Sequence, residues 1–359
     1  MVHYIRFLRT PQTHVGKKTK TVDIAAVVAL TTDLGDAYYA QDIDLVVEIV
    51  EANRPHAVLH SHTLPWQASS RALKFTVHCP STYTSRSARL HVTTKATQNA
   101  FSLFTVPNIL DVWSPVFVLS DKQRTEPVVE RDLLLPNKSH IRMWEETGDS
   151  IARHVWDAGL GFLMYFAQAL SPSSATGMSR LTSLMRSSKA RRLKVLELGA
   201  GCGIVGVAFA QLVKCDMLLT DLEDAQEILA SNLRCASPMA GSTLRCEVLD
   251  WSTGVEDSCN AKYDLVLVSD CIYNPDSSLH LVETLRQLAT RTPGLLILVG
   301  FKRRHQADTI FFERMQQTNF AIVEQVNIPL PHTLTDHDAD VPTGEFYTYC
   351  LQPTLARPG

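Results

Sequence analysis

Residues 193–206, LKVLELGAGCGIVG, set one carboxylate and three glycines between two apolar runs. Val195, Leu196 and Leu198 read as a short buried strand that Glu197 interrupts. Gly199, Gly201 and Gly203 then turn the chain, and an apolar, helix-compatible segment follows from Ile204. A parallel strand, a glycine turn and a helix N-terminus suit a nucleotide-type ligand: glycine lets the backbone approach closely, and the helix end offers N–H donors. The pattern is E-x-G-x-G-x-G, not the G-x-G-x-x-G of dinucleotide binders. Glu197 can accept hydrogen bonds from a ligand ammonium. Asp221 closes the next apolar run, residues 216–221, where a carboxylate is placed to bind ribose hydroxyls. The bland alternative is a glycine turn in some other α/β domain.

The segments that must position these groups alternate in type. After Asp221, residues 224–235 form an amphipathic helix with Ile228, Leu229 and Leu233 on one side. A third strand ends at Asp250 and Trp251, and a fourth at Ser269, Asp270 and Tyr273. A helix, a fifth strand (residues 294–301) and another helix follow. Residues 320–328 and 345–352 read as a closing antiparallel pair. Strand–helix alternation implies an α/β, doubly wound sheet, whose ligands bind at the carboxyl ends of the strands. Several strand ends carrying polar residues point to one site more specifically than the glycine turn alone.

Upstream, residues 141–170 run from a short strand into a helix opened by Trp156, with apolar positions 160, 162, 163, 166 and 170 on one face. Residues 171–192 are Ser-rich and basic and read as a flexible surface insertion. Residues 1–140 read as a β-rich extension. Runs at 24–30, 44–52, 72–79 and 88–94 are strand-like, and residues 69–92 look like a hairpin with a long connection. The first 20 residues are basic before Asp23 and read as a mobile arm, or as a polyanion-binding tail. His56, His60 and His62 cluster without nearby Cys or carboxylates, so a solvated loop is expected there and no metal site.

The chain has 359 residues, 45% of them apolar, enough for two domains: 1–140 and 141–359. The formal net charge is −3, so nothing global points to nucleic acid. None of the eight cysteines forms a C-x-x-C pair, which fits reduced thiols inside a cell. Charges within residues 1–12 argue against a secretory signal, and the longest apolar runs are too short to span a bilayer.

From about residue 140 onward, the order of motifs resembles the class I, seven-strand S-adenosylmethionine-dependent methyltransferases. Within them it is similar to the family-16 protein-lysine methyltransferases of the fungal type with an N-terminal extension. The motifs are Thr147-Gly148 with Val155–Ala158, ELGAGCG at 197–203, Asp221, LDW at 249–251 and SDCIY at 269–273. The resemblance implies S-adenosyl-L-methionine as cofactor. It implies that Trp156 packs near the cofactor's methionine end and that Gly199, Ala200 and Gly201 give close backbone approach. Glu197 would sit near the ammonium, Asp221 would hold the ribose, Trp251 would lie against the adenine and Asp250 would bond its amino group. Ser269 would face the cofactor, and Asp270 and Tyr273 would form the D-x-x-Y motif at the target's entrance.

Methyl transfer from a sulfonium needs in-line approach, desolvation and a neutral nucleophile. A carboxylate can orient a lysine and an aromatic wall can pack its stem, which suits Asp270 and Tyr273. Asp270 could instead cap the next helix, and Tyr273 could simply pack. Amide- and adenine-N methyltransferases usually carry two prolines where this chain has Cys271 and Ile272, so planar nitrogens are less favoured. Lys302, Arg303 and Arg304 after the fifth strand form a basic patch near that rim, which reads as a solvated basic turn. The expected activity is methylation of a lysine on a folded intracellular protein such as a translation factor or chaperone, by a cytoplasmic and also nuclear monomer. The expected partner is that protein substrate, with no nucleic acid and no membrane. The alternatives are a methyltransferase-fold binding protein with little catalysis, and a small-molecule methyltransferase.

Overall fold

The computed structural model describes residues 1–15, 21–54, 57–95, 106–120, 122, 124–135, 139–148, 151–171, 178–254, 261–304, 308–331 and 341–352. The chain divides into two compact units. The first holds residues 1–134 and 142–154, and the second is built around 155–330.

Among its described residues the first unit is built on two β-sheets. One sheet runs β5 (Leu73–Pro80), β2 (Thr21–Thr31), β1 (His3–Val15), β7 (Ile109–Leu110). The other runs β11 (His140–Glu146), β10 (Val128–Leu134), β8 (Val112–Trp113), β6 (Ser87–Thr94), β3 (Ile43–Glu51), β4 (Val58–Trp66), with β9 (Phe117–Val118) also on β6. Alternate residues of both sheets enter one core, among them Ile5, Phe7, Val28, Leu45, Val47, Leu90 and Val92, the period-2 burial that a pleated strand dictates.

Three expectations for this unit need correction. Residues 3–15 are a strand paired with β2, not a mobile arm. Ile5 and Phe7 are buried, and Arg6 donates to the Asp33 carbonyl at 3.0 Å. Lys17, Lys18 and Lys20 lie outside the described residues. Residues 69–92 are not a hairpin: β5 pairs with β2, whereas β6 pairs with β3 in the other sheet. His60 and His62 lie on the edge strand β4, on its half-buried face with Leu64 and Trp66, and His56 is outside the described residues.

The second unit is the doubly wound sheet. Its strands are β12 (Leu193–Leu198), β13 (Cys215–Asp221), β14 (Thr243–Val248), β15 (Leu265–Ser269), β16 (Leu296–Lys302), β17 (Phe320–Pro329) and β18 (Thr343–Leu351). They lie in the order β14-β13-β12-β15-β16-β18-β17. The first five are parallel, and β18 is antiparallel between β16 and β17. Order reverses between β12 and β15, the switch point at which ligands bind such sheets.

Helices cover both faces, so the central strands are mostly apolar. Leu196, Leu198, Val266, Val268, Ile297 and Val299 form a core with Leu281, Leu285 and Leu288 of α5 (Pro275–Arg291) and Phe311 and Met315 of α6 (Thr309–Gln317). Opposite, α1 (Asp157–Leu170) packs on α3 (Ile204–Leu212) and the sheet. Phe166 meets Phe209 with ring centroids 5.2 Å apart, and Phe162 meets Phe346 at 4.9 Å. Gln226–Cys235 forms α4.

The insertion read as flexible carries a helix, α2 (Ser179–Ser187), with Leu181 and Met185 buried at i, i+4 spacing. Its open N-terminus is closed by Glu324 of β17, whose Oε1 accepts from the Arg180 amide at 2.9 Å and the Ser179 hydroxyl at 3.0 Å. An acid from a distant strand completes the helix end, and no local pattern announces it. Residues 172–177 lie outside the described residues.

Gly300 gives the core a sharp test. A Cβ there would lie 2.6 Å from the rings of both Phe162 and Phe346. Gly300→Ala is expected to overpack this layer by about 2 kcal/mol and to lower the melting temperature by a few degrees in calorimetry. An unchanged melting temperature would show the aromatic layer to be loosely packed.

Candidate active site

Backbone geometry shapes the glycine turn. Gly199, Gly201 and Gly203 all have positive φ, at 67°, 56° and 87°, values that carry a steric cost for residues with a Cβ. Asp221 fixes the turn from the next strand end. Its Oδ2 accepts from the Gly201 amide at 2.6 Å and its Oδ1 from the Leu222 amide at 2.7 Å. Burial raises the Asp221 carboxyl above its ordinary range, and these two amides oppose the rise. Ala200 donates its amide to the Thr220 carbonyl, which joins the turn to β13 a second time.

A Cβ on Gly199 would lie 2.5 Å from Cys271 Sγ and 3.2 Å from the Trp251 ring. Cys271 is buried, and its thiol donates toward the Ser269 carbonyl at 3.1 Å; burial pushes that thiol far up. The turn, Trp251 and the end of β15 are thus in contact. Trp251 stands in a single 3-10 turn beyond β14, which ends at Val248 and not at Trp251. Asp250 caps that turn by accepting from the Ser252 amide at 2.8 Å; the Ser252 hydroxyl, with that amide, lowers its carboxyl below the usual range.

Glu197 is 1% exposed, and its Oε2 lies against Gly206 in the first turn of α3. The Gly206 amide pulls the carboxyl down without making a hydrogen bond to it. Among the described residues neither Glu197 oxygen has a hydrogen-bond partner. Burial pushes the carboxyl up to about 8, with Asp221 adding to the rise. The group is therefore mostly protonated at neutral pH.

Asp270 continues β15 in the left-handed region, at φ 54°. Its amide donates to the Gly300 carbonyl, and its Oδ2 accepts from the Arg304 guanidinium at 2.6 Å. The two side chains are 12% and 10% exposed. The same guanidinium stands 5.7 Å from the centre of the Trp156 ring. Asp270 does not cap α5; Asn274 does, accepting from the Asp276 amide at 2.9 Å. Tyr273 is 51% exposed at the mouth of this group, and burial of its remainder raises its phenol. Ser269 closes β15 opposite Gly300, partly exposed.

The basic run after β16 is not a solvated turn. Lys302 Nζ donates to Asp157 Oδ2 at 2.6 Å, with Asp157 fully buried. Arg303 grips Glu345 with two bonds of 2.8 and 2.9 Å, and Arg304 holds Asp270. Each cation faces an acid from another element, and charge spacing along a single segment does not report that. The Arg304–Asp270 and Lys302–Asp157 pairings are the site features that sequence reading missed. The only local hint was an acid directly after Trp156 at a helix start.

The site residues therefore gather at the carboxyl ends of β12–β16 and the start of α1. Asp221, Gly199, Gly201 and Trp251 surround the turn. Asp270, Arg304 and Trp156 form a second group beside it. Glu197 lies beneath the turn, and Asp250 faces solvent. The bare backbone at Gly199, the buried Glu197 carboxyl and the acid at the end of β13 all fit S-adenosylmethionine.

This sheet order with this turn defines a class I S-adenosylmethionine-dependent methyltransferase. A family model described as lysine methyltransferase matches residues 136–318, just over half of the chain, and the chain belongs to that family. A UPF0665 family protein of Schizosaccharomyces pombe is 27% identical over 87% of this chain and 92% of its own length. Protein N-lysine methyltransferase METTL21A of Xenopus tropicalis is 30% identical over 50% of this chain and 73% of its own. EEF1A lysine methyltransferase 3 of Mus musculus is 32% identical over 47% and 64%.

The unpartnered Glu197 makes stability depend on pH. A carboxyl with its pKa raised from the ordinary ~4.3 to about 8 in the fold costs stability as pH climbs between those values, and the loss is complete above the upper one. Thermal melts at pH 5 and pH 8 should show Glu197→Gln gaining on the parent at the higher pH. Equal gains at both pH values would mean that Glu197 is not held protonated.

Proposed function

We propose that the protein methylates a lysine side chain on a folded intracellular protein, such as a translation factor or chaperone, in the cytoplasm and also the nucleus. Asp270 carries the reading: an acid 12% exposed at the carboxyl end of β15, flanked by Trp156 and the half-exposed Tyr273. The names of the relatives support the acceptor class, METTL21A being a protein N-lysine methyltransferase and the mouse protein an EEF1A lysine methyltransferase.

When bound, S-adenosylmethionine supplies an electrophilic sulfonium methyl group, and transfer forms the N–C bond as the C–S bonding pair returns to sulfur. Gly199, Ala200 and Gly201 present backbone without side-chain obstruction. Asp221 takes the ribose hydroxyls while it keeps the turn in shape, and Glu197 places a titratable charge beneath it. Trp251 offers a flat apolar wall with Asp250 at its rim, and Ser269 and Trp156 line the side toward the acceptor. Asp270 orients the incoming nitrogen, and Tyr273 packs the lysine stem. The proton lost by the ammonium leaves to water at the exposed mouth. Holding the amine in line and away from bulk water is the main demand of the reaction.

Two variants separate the roles. Asp221→Ala should weaken cofactor binding at least tenfold by calorimetry, since the ribose contact and the turn's brace go together. Asp270→Ala should bind cofactor nearly as the parent does yet transfer little methyl. The assay is radiolabelled S-adenosylmethionine with cell extract, read by gel fluorography. One discrete protein band, absent with Asp270→Ala, is the expected result. Incorporation that survives protease treatment of the extract would favour a small-molecule acceptor, and cofactor binding without any incorporation would favour a binding protein.

A further inference from the structure

A lysine is an ammonium in water, and an isolated carboxylate at its binding site would keep it so. A nearby opposite charge favours the charged form, which here is the unreactive one. Asp270 is not isolated. Its Oδ2 takes a 2.6 Å bond from Arg304, and the Lys302 amide points to its Oδ1 at 3.4 Å. Arg304 is held in turn. Its own amide donates to Asp308 Oδ2 at 3.1 Å, and its guanidinium stands over Trp156. The carboxylate that meets the target is thus already neutralised by a guanidinium that stays charged at any working pH.

We propose that Arg304 is a positioning residue for methyl transfer: by pairing with Asp270, it makes the entrance a dipole, an oriented acceptor beside a fixed cation, which admits lysine as the free amine. This rests on Asp270 being the group that orients the acceptor. The Asp270 oxygens still fix the direction of the nitrogen, while the Arg304 charge opposes a second cation beside it. The proton lost on desolvation goes to water past Tyr273, and no base on the protein has to take it.

The other charged groups around this point sort clearly. Asp157 of α1 faces Lys302, Arg303 faces Glu345 of β18, and Asp308 accepts from the Arg304 backbone amide. Glu197 and Asp221 lie toward the cofactor turn, with the Cys271 thiol beside that turn and the Tyr273 phenol at the mouth. Among these described groups, Arg304 is the cation that touches Asp270.

The test is a pH–rate profile from pH 6 to 10 with full-length protein, radiolabelled S-adenosylmethionine and extract protein as acceptor, quantified on the labelled band. Calorimetric cofactor affinity is measured in parallel. The parent's rate should rise with pH to a plateau. In Arg304→Gln the midpoint of that rise should move up by about one unit, roughly a tenfold loss below it, with cofactor affinity unchanged. Arg304→Lys, which keeps the charge, should hold the midpoint. Should Arg304→Gln fail to fold, Asp308→Asn tests the same electrostatics with the opposite sign: loss of an anion beside Arg304 should lower the midpoint. A midpoint that does not move while only the plateau falls would overturn the proposal and leave the acceptor assignment standing. A parent protein that labels no protein band would overturn both.

Discussion

The Asp221 carboxylate holds the site together. Its two oxygens bond amides on opposite sides of a gap: Gly201 in the turn after β12, and Leu222 just past its own strand. Three residues of that turn have positive φ, and such a run closes in one shape only when something outside it supplies the missing contacts. A strand-end acid does so with charge-assisted bonds, which are short and directional. The neighbouring contacts follow from that shape. Gly199 comes close enough to β15 to leave no room for a side chain. Trp251 can then close over the turn, and α3 starts where the buried Glu197 lies against its first amides.

A second constraint sits across the switch point. The Lys302–Asp157 pair joins the end of β16 to the first turn of α1 in a place that water barely reaches. Burying two charges gains little net stability, but leaving either alone costs about 3–5 kcal/mol. Such a pair acts as a registration device, fixing where α1 begins against the sheet and therefore where Trp156 stands. The adjacent Arg304–Asp270 pair repeats the arrangement one layer outward, where Asp270 can still be reached. The inner pair is structural, and the outer pair shares its geometry with the chemistry.

Much of this was legible in the chain because the relevant physics is local. Alternating apolar runs and amphipathic helices gave the doubly wound sheet, and acids and glycines at strand ends marked its binding edge. What escaped depends on contacts between segments far apart in sequence. The α2 helix needs Glu324, more than a hundred residues away, to complete its N-terminus. The strand β4 hides its period because its half-buried face carries two polar histidines. The strands β5 and β6 look like a hairpin until β2 and β3 compete for them. The basic run at 302–304 looks solvated until Asp157, Glu345 and Asp270 arrive from three other elements.

Gly199 and Cys271 occupy what is in effect a single volume. The sulfur stands 2.5 Å from where a Cβ on residue 199 would lie, so the two positions are bound by a joint size limit and cannot vary independently. Enlarging 199 requires a vacancy at 271, and enlarging 271 requires a retreat that a glycine cannot make. The D-x-x-Y segment is therefore tied to the cofactor turn by steric exclusion. Acceptor choice can be altered at its outer residues, whereas its second position answers to the glycine loop.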